Sequence, residues 1–188
     1  PFSVDVVVLG EAHDNPYHHA RQAEIVAQVQ PKALVFEMLT EAQAAEHVPA
    51  ADAANLEAAF EWQTAGWPDF AMYYPIFAAA PEARVFGAGV PRTAARQAMT
   101  DGLASAFGSG AEAYGLTTPL QVAEQEQREA MQMAAHCDAL PEDILPAMVD
   151  IQRLRDAQLA KVALMAFELT GGPVVVITGN GHARTDWG

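Results

Sequence analysis

Near each end of the chain, a run of β-branched apolar residues leads straight into a Gly-x-x-His turn. Val4–Leu9 runs into Gly10-Glu11-Ala12-His13, and Val174–Thr178 into Gly179-Asn180-Gly181-His182. A continuous apolar run of this length, closed by glycine, predicts a strand buried on both faces, as in a parallel sheet. Ala33–Met38 and Arg84–Val90 are read as the second and third strands.

Helix signals fill the gaps. Asp14-Asn15-Pro16 offers an N-cap with proline at the first helical position, and Pro31 ends the helix after about Gln30. Helical stretches are expected near Glu41–His47, over Asp52–Ala65 and, apart from Pro75, over Asp69–Ala80. Another begins at Pro91 and fades into Gly108-Ser109-Gly110, the best place for a mobile loop. Thr117-Thr118-Pro119 reads as the cap of a Glu- and Gln-rich helix. Pro141–Thr170 reads as mostly one long helix, stopped by Gly171-Gly172.

This alternation predicts an α/β fold: a central, mainly parallel sheet flanked by helices, with a helical elaboration between the third and fourth strands, about 91–170. The length suits one domain over 1–188. The chain stops soon after its last motif, so further protein is expected beyond it. It opens almost directly on a strand, which is compatible with a removed leader or lipoprotein tether.

The formal net charge is -14, and the only lysines are Lys32 and Lys161. Duplex nucleic acid and anionic membrane surfaces both need a dense basic face, so neither is expected as a partner. Cys137 is the only cysteine, which excludes an intrachain disulfide and a cysteine zinc cluster. No run approaches the ~20 apolar residues of a transmembrane segment.

In a parallel sheet, ligands bind beyond the carboxyl ends of the strands. Both Gly-x-x-His turns follow strands at that end. Glu11 and His13 are two apart and face the same way if strand geometry persists. Glu37 closes the second strand, where a carboxylate among apolar residues is costly unless paired or used. His182 arrives from the last strand. Singly, each is an ordinary turn or ion-pairing residue; together they can share one rim. Glu11, His13, Glu37 and His182 can hold a divalent metal such as Zn, Mn or Co, or act as a general acid and base. His18 and His19 are adjacent on the first helix, about 100° apart, so both cannot face the rim. One is expected to orient a ligand and the other to meet solvent. His136-Cys137-Asp138 is contiguous near a helix end and is not read as a metal site.

The segments Gly10-Glu11-Ala12-His13-Asp14-Asn15-Pro16, Phe36-Glu37-Met38 and Gly179-Asn180-Gly181-His182-Ala183-Arg184 resemble the ChaN family. This is the haem-binding uptake branch of the Tiki superfamily, which also takes in erythromycin-esterase-like hydrolases and Tiki-type metalloproteases. Trp67-Pro68, Tyr73-x-Pro75-Ile76, Val90-Pro91-Arg92 and Gln152-x-x-Arg155-Asp156 follow the same pattern in order. The chain departs from it at Gly89-Val90-Pro91-Arg92, where the family usually has Asn-Ile-Pro-Arg. It also lacks the extension expected after the last motif.

The resemblance implies a bacterial iron-uptake protein that binds haem, as a homodimer with haem at the subunit interface. The implied location is a membrane-anchored lipoprotein or the periplasm if a leader was removed, otherwise the cytoplasm. It also implies an axial tyrosinate, a hard oxygen donor suited to ferric haem. The tyrosines are Tyr17, Tyr73, Tyr74 and Tyr114, with Tyr73 favoured by its place two residues before Pro75 and Tyr74 beside it. Arg92, Arg155, Lys32 or a histidine is expected to meet the propionates. The same resemblance supports an alternative: a metal-dependent, protease- or esterase-like hydrolase acting through the Glu/His rim.

Overall fold

The apolar runs become one all-parallel sheet in a computed structural model that describes residues 4–187. In chain order the elements are β1 (Val6–Glu11), α1 (Pro16–Val29), β2 (Ala33–Phe36), α2 (Glu41–Ala45), α3 (Ala53–Ala59), α4 (Trp62–Ala65) and α5 (Phe70–Ala79). Then come β3 (Arg84–Gly87), α6 (Arg92–Asp101), α7 (Leu103–Phe107), α8 (Val122–Ala135), α9 (Leu145–Thr170) and β4 (Val174–Gly179). The fold is α/β, with strand order β1-β4-β2-β3.

The chain divides into two compact units. One holds the residues up to Gly89 together with those from Leu159 onward; the other is Val90–Gln158. The expected elaboration over 91–170 is therefore split, because the later part of α9 packs in the sheet unit.

Strand alternation sends neighbouring residues to opposite faces of the sheet. Leu34, Phe36, Val175 and Ile177 enter one core with Val26 and Val29 of α1 and with Phe70, Tyr73, Ile76 and Phe77 of α5. Ala33, Val35, Val174 and Val176 enter another with Leu159, Val162, Ala163 and Ala166 of α9. Pro75 stands inside α5 rather than interrupting it. An interior proline costs about 3 kcal/mol. Each of the four buried α5 side chains returns roughly 1.5–3 kcal/mol on burial, so packing outweighs the lost hydrogen bond.

The first strand differs from expectation. Val4–Leu9 is not buried on both faces, since β1 is an edge strand paired only with β4. Val6 and Val8 fall in register with Val174 and Val176, yet remain 38% and 49% exposed. The helices also break more often than their pattern suggests. Asp52–Ala65 is two helices, with Glu61 in the left-handed region between them, and α8 begins at Val122 rather than beside Thr118. Among the described residues no helix is long and apolar enough to cross a membrane.

Candidate functional site at the carboxyl edge of the sheet

Parallel pairing puts the ends of β1, β2 and β4 on one edge. Glu11 lies in register with Gly179, and Phe36 with Ile177, so Glu37 follows directly beside Thr178. Two backbone bonds fix the turns to one another: Glu37 N–H donates to Ile177 O (3.1 Å) and Asn180 N–H to Glu11 O (2.8 Å).

The glycines of the two motifs interlock. A β-carbon on Gly10 would come within 2.6 Å of Asn180 Oδ1 and 2.9 Å of Ala183 Cβ. A β-carbon on Gly179 would lie 2.9 Å from His13 Nε2 and 3.5 Å from Glu37 Oε2. Each turn therefore occupies the space the other's glycine leaves empty, which is the close-approach use of glycine.

Two carboxylates organise the rim. Glu11 is 1% exposed. Its Oε1 accepts from Tyr73 Oη (2.7 Å) and lies 2.8 Å from His13 Nδ1, while Oε2 is 3.3 Å from His19 Nδ1. Burial alone would raise its pKa, but hydrogen bonds from His13, His19 and Tyr73 outweigh burial and lower it to about 2. Glu37 is nearly as buried. Its Oε2 accepts from Thr178 Oγ1 (2.7 Å) and Gly179 N–H (2.8 Å), and its Oε1 is 3.5 Å from His182 Nε2. Burial again opposes ionisation, and His182, Gly179 and Thr178 prevail, bringing the pKa to about 2.

The four residues expected on one rim are thus two Glu–His pairs meeting at Gly179. His13 is the more open of the two histidines, with a third of its side chain exposed and Trp67 packed 4.9 Å from its ring. With Nδ1 committed to Glu11, His13 turns Nε2 toward Gly179. A carboxylate-oriented imidazole of this kind can accept or return a proton. The metal reading gains nothing from the geometry. All four carboxylate oxygens already face donor nitrogens or hydroxyls, and among the described residues no group of three or more His, Cys, Asp or Glu side chains is arranged to hold a metal ion.

Tyr73 is the candidate favoured from sequence for the haem ligand. It is fully buried in the core, its hydroxyl donates to Glu11, and burial beside that carboxylate pushes its pKa far above the usual phenol value. A phenol held in this way opposes the expectation that Tyr73 meets haem iron as a tyrosinate. Tyr74 is half-buried, with its hydroxyl 3.5 Å from Ala51 O. Tyr114 is half-buried against Phe107. Tyr17 is 83% exposed on the first turn of α1. The Trp67–Phe77 segment gives Phe70, Tyr73, Ile76 and Phe77 to the core. Arg92 opens α6 and is exposed, and Arg155 is half-buried on α9; both belong to the Val90–Gln158 unit.

Sequence left open which of His18 and His19 faces the rim, and it did not single out Gln22; His19 is the one that faces it. His19 and Gln22 are both buried, and His19 also contacts the Tyr73 ring at 4.2 Å. A signal existed: His19, Gln22, Val26 and Val29 recur at the spacing of one helix face, and they are the buried face of α1. His18 folds back to accept the Ala12 N–H at 2.8 Å, bracing the first turn.

Comparison with known proteins agrees with this architecture. Over residues 3–188 the chain matches the family described as haem-binding uptake, Tiki superfamily, ChaN. None of the curated proteins compared matches it. Among solved structures it is similar to ChaN of Campylobacter jejuni, described by its cofacial haem binding, with a TM-score of 0.64 and 20% identity over 93% of this chain and 70% of that one. At that identity the likeness speaks for the fold, while the match along nearly the whole sequence places the chain in the ChaN family of haem-binding uptake proteins.

Proposed function

We propose that this chain binds ferric haem as part of bacterial haem uptake, through a tyrosinate at a homodimer interface. The observation that carries the reading is family membership over residues 3–188. Among the tyrosines, Tyr17 fits best. Iron needs a reachable phenol oxygen, and Tyr17 is the most exposed of the four, whereas Tyr73 spends its hydroxyl on Glu11. The haem iron, when bound, supplies a Lewis-acid centre for the phenolate. A flat apolar macrocycle on so exposed a residue needs covering surface from elsewhere, which supports a second subunit as the other wall. Titration of the purified protein with ferric haem, followed by absorbance and with mass measured before and after, tests this. A saturable tyrosinate-type spectrum and a doubling of mass are expected. Absence of saturable binding removes the reading.

A second reading is favoured by one observation, the Glu11–His13 pair with Nε2 directed toward Gly179. That arrangement supports hydrolysis at the rim, with His13 moving the proton. Screening simple esters and peptides with and without Zn, Mn or Co tests it. Glu11→Gln is expected to abolish any turnover while the protein stays folded.

A further inference from the structure

His19 is fully buried, and neither reading above uses it. Its ring is surrounded by oxygen acceptors. Nε2 lies 2.9 Å from the carbonyl oxygen of His13. Nδ1 lies 3.3 Å from Glu11 Oε2 and 3.3 Å from Gln22 Oε1. The Gln22 amide is not free to turn its nitrogen toward the ring, because its Nε2 donates to Leu9 O at 3.1 Å. A neutral imidazole carries one N–H and one lone pair. Either neutral tautomer would therefore aim a lone pair at buried oxygen. An imidazolium has a donor for each side. Glu11 Oε2 supplies the complementary charge: it is buried, accepts no hydrogen bond, and has His19 Nδ1 3.3 Å away as an ion-pair contact. The groups facing His19 are Glu11 and Gln22, the His13 carbonyl, and the Tyr73 ring, whose hydroxyl also points to Glu11.

We propose that His19 is a fixed buried cation, the counter-charge to Glu11, and that it positions the Glu11 carboxylate so that His13 carries its proton on Nδ1 and presents a bare Nε2 beside Gly179. His19 is a positioning residue: it meets no ligand itself and acts through Glu11. The pairing cancels the charge of Glu11 from below, while His13 reads the carboxylate's other oxygen from the side. This deepens the reading of His13 as the working imidazole of the rim.

Nitrogen-resolved NMR of the full chain, labelled in histidine and held at pH 7, tests it. His19 is expected to show two protonated ring nitrogens, and His13 one protonated Nδ1 and one bare Nε2. In His19→Gln, which keeps a polar side chain and removes the charge, the His13 signals should move from this single tautomer toward an average of both. A bare nitrogen on His19 in the wild type overturns the proposal, and so does an unchanged His13 tautomer in His19→Gln. Should His19→Gln fail to fold, Glu11→Gln carries the same test. Loss of the carboxylate charge should leave His19 with one bare nitrogen, and a doubly protonated His19 there contradicts the pairing. None of these spectra depends on haem or turnover, so they separate this proposal from the failure of either functional reading.

Discussion

The sheet unit and the Val90–Gln158 unit are built on opposite principles. In the sheet unit large aromatic and aliphatic side chains fill one face, valine and alanine most of the other, and the edge holds the buried polar groups Glu11, His19, Gln22, Glu37 and Thr178. In the helical unit the buried cluster is Ala98, Leu103, Ala111, Leu116, Leu154 and Ala157, half of it alanine. Its α8 has fourteen residues and buries none of them. The contrast shows where this chain can afford precise chemistry. A buried charge keeps its geometry only where dense packing removes alternatives, and the carboxyl edge of the sheet meets that condition.

The largest test of the contrast is a core deletion. Phe36 is fully buried and stacks on Phe77 at 4.4 Å between ring centres. Phe36→Ala should cost about 3–5 kcal/mol in denaturant unfolding. Leu154→Ala, in the alanine-rich cluster, should fall at the low end of the ~2–5 kcal/mol range for such truncations. An equal or greater loss at Leu154 would break the comparison.

Next in size is the response to acid. Glu11 and Glu37 are both lowered to about 2, so the stability they contribute is present above the unfolded carboxylate value and is lost as pH falls through about 2. A shift of this size corresponds to roughly 3 kcal/mol for each carboxylate. His19 runs the other way. Its pKa is raised by Glu11 against the effect of burial, so its contribution is complete below about 6.5, the unfolded histidine value, and is lost as pH rises through the folded one. Unfolding curves between pH 2 and 6 should show steep loss in the wild type and a flatter profile in Glu11→Gln. Parallel profiles would mean that Glu11 is not held as described.

Smaller still is a comparison within one motif. Gly179→Ala puts a methyl group against the His13 ring and should cost about 1–3 kcal/mol and displace that ring. A β-carbon on Gly181 meets nothing within 4 Å, so Gly181→Ala should stay within about 0.5 kcal/mol of the wild type. Equal effects would deny the interlocking of the turns. Smallest of all, Met131→Gln on exposed α8 should also change stability by less than about 0.5 kcal/mol.

The strands were legible because β-branched runs closed by glycine have few other ways to fold. The rim followed, since parallel strands bring Glu11, Glu37 and the two histidine turns to one edge whatever their separation in the chain. The edge position of β1 was not legible. Whether β1 lies at the edge or the centre depends on pairing across the whole chain, and Val4, Val6 and Val8 read the same either way. Tyr73 misled for a related reason. Its aromatic neighbours suit a ligand-facing surface and a core equally, and the packing of α5 on the sheet decides between them. His19 was hidden by its neighbour: adjacent histidines point about 100° apart, and only the register of α1 on the sheet says which one is buried.

On the proposed reading the buried Tyr73–Glu11 network and the haem ligand are separate, and Tyr17 is the phenol that iron meets. Ferric haem titration of the wild type, Tyr17→Phe and Tyr73→Phe, read by absorbance, tests it most directly. Each change keeps the ring and removes only the oxygen. The wild type and Tyr73→Phe should bind with the same tyrosinate-type spectrum, and Tyr17→Phe should lose that spectrum. Loss in Tyr73→Phe with retention in Tyr17→Phe would contradict the account.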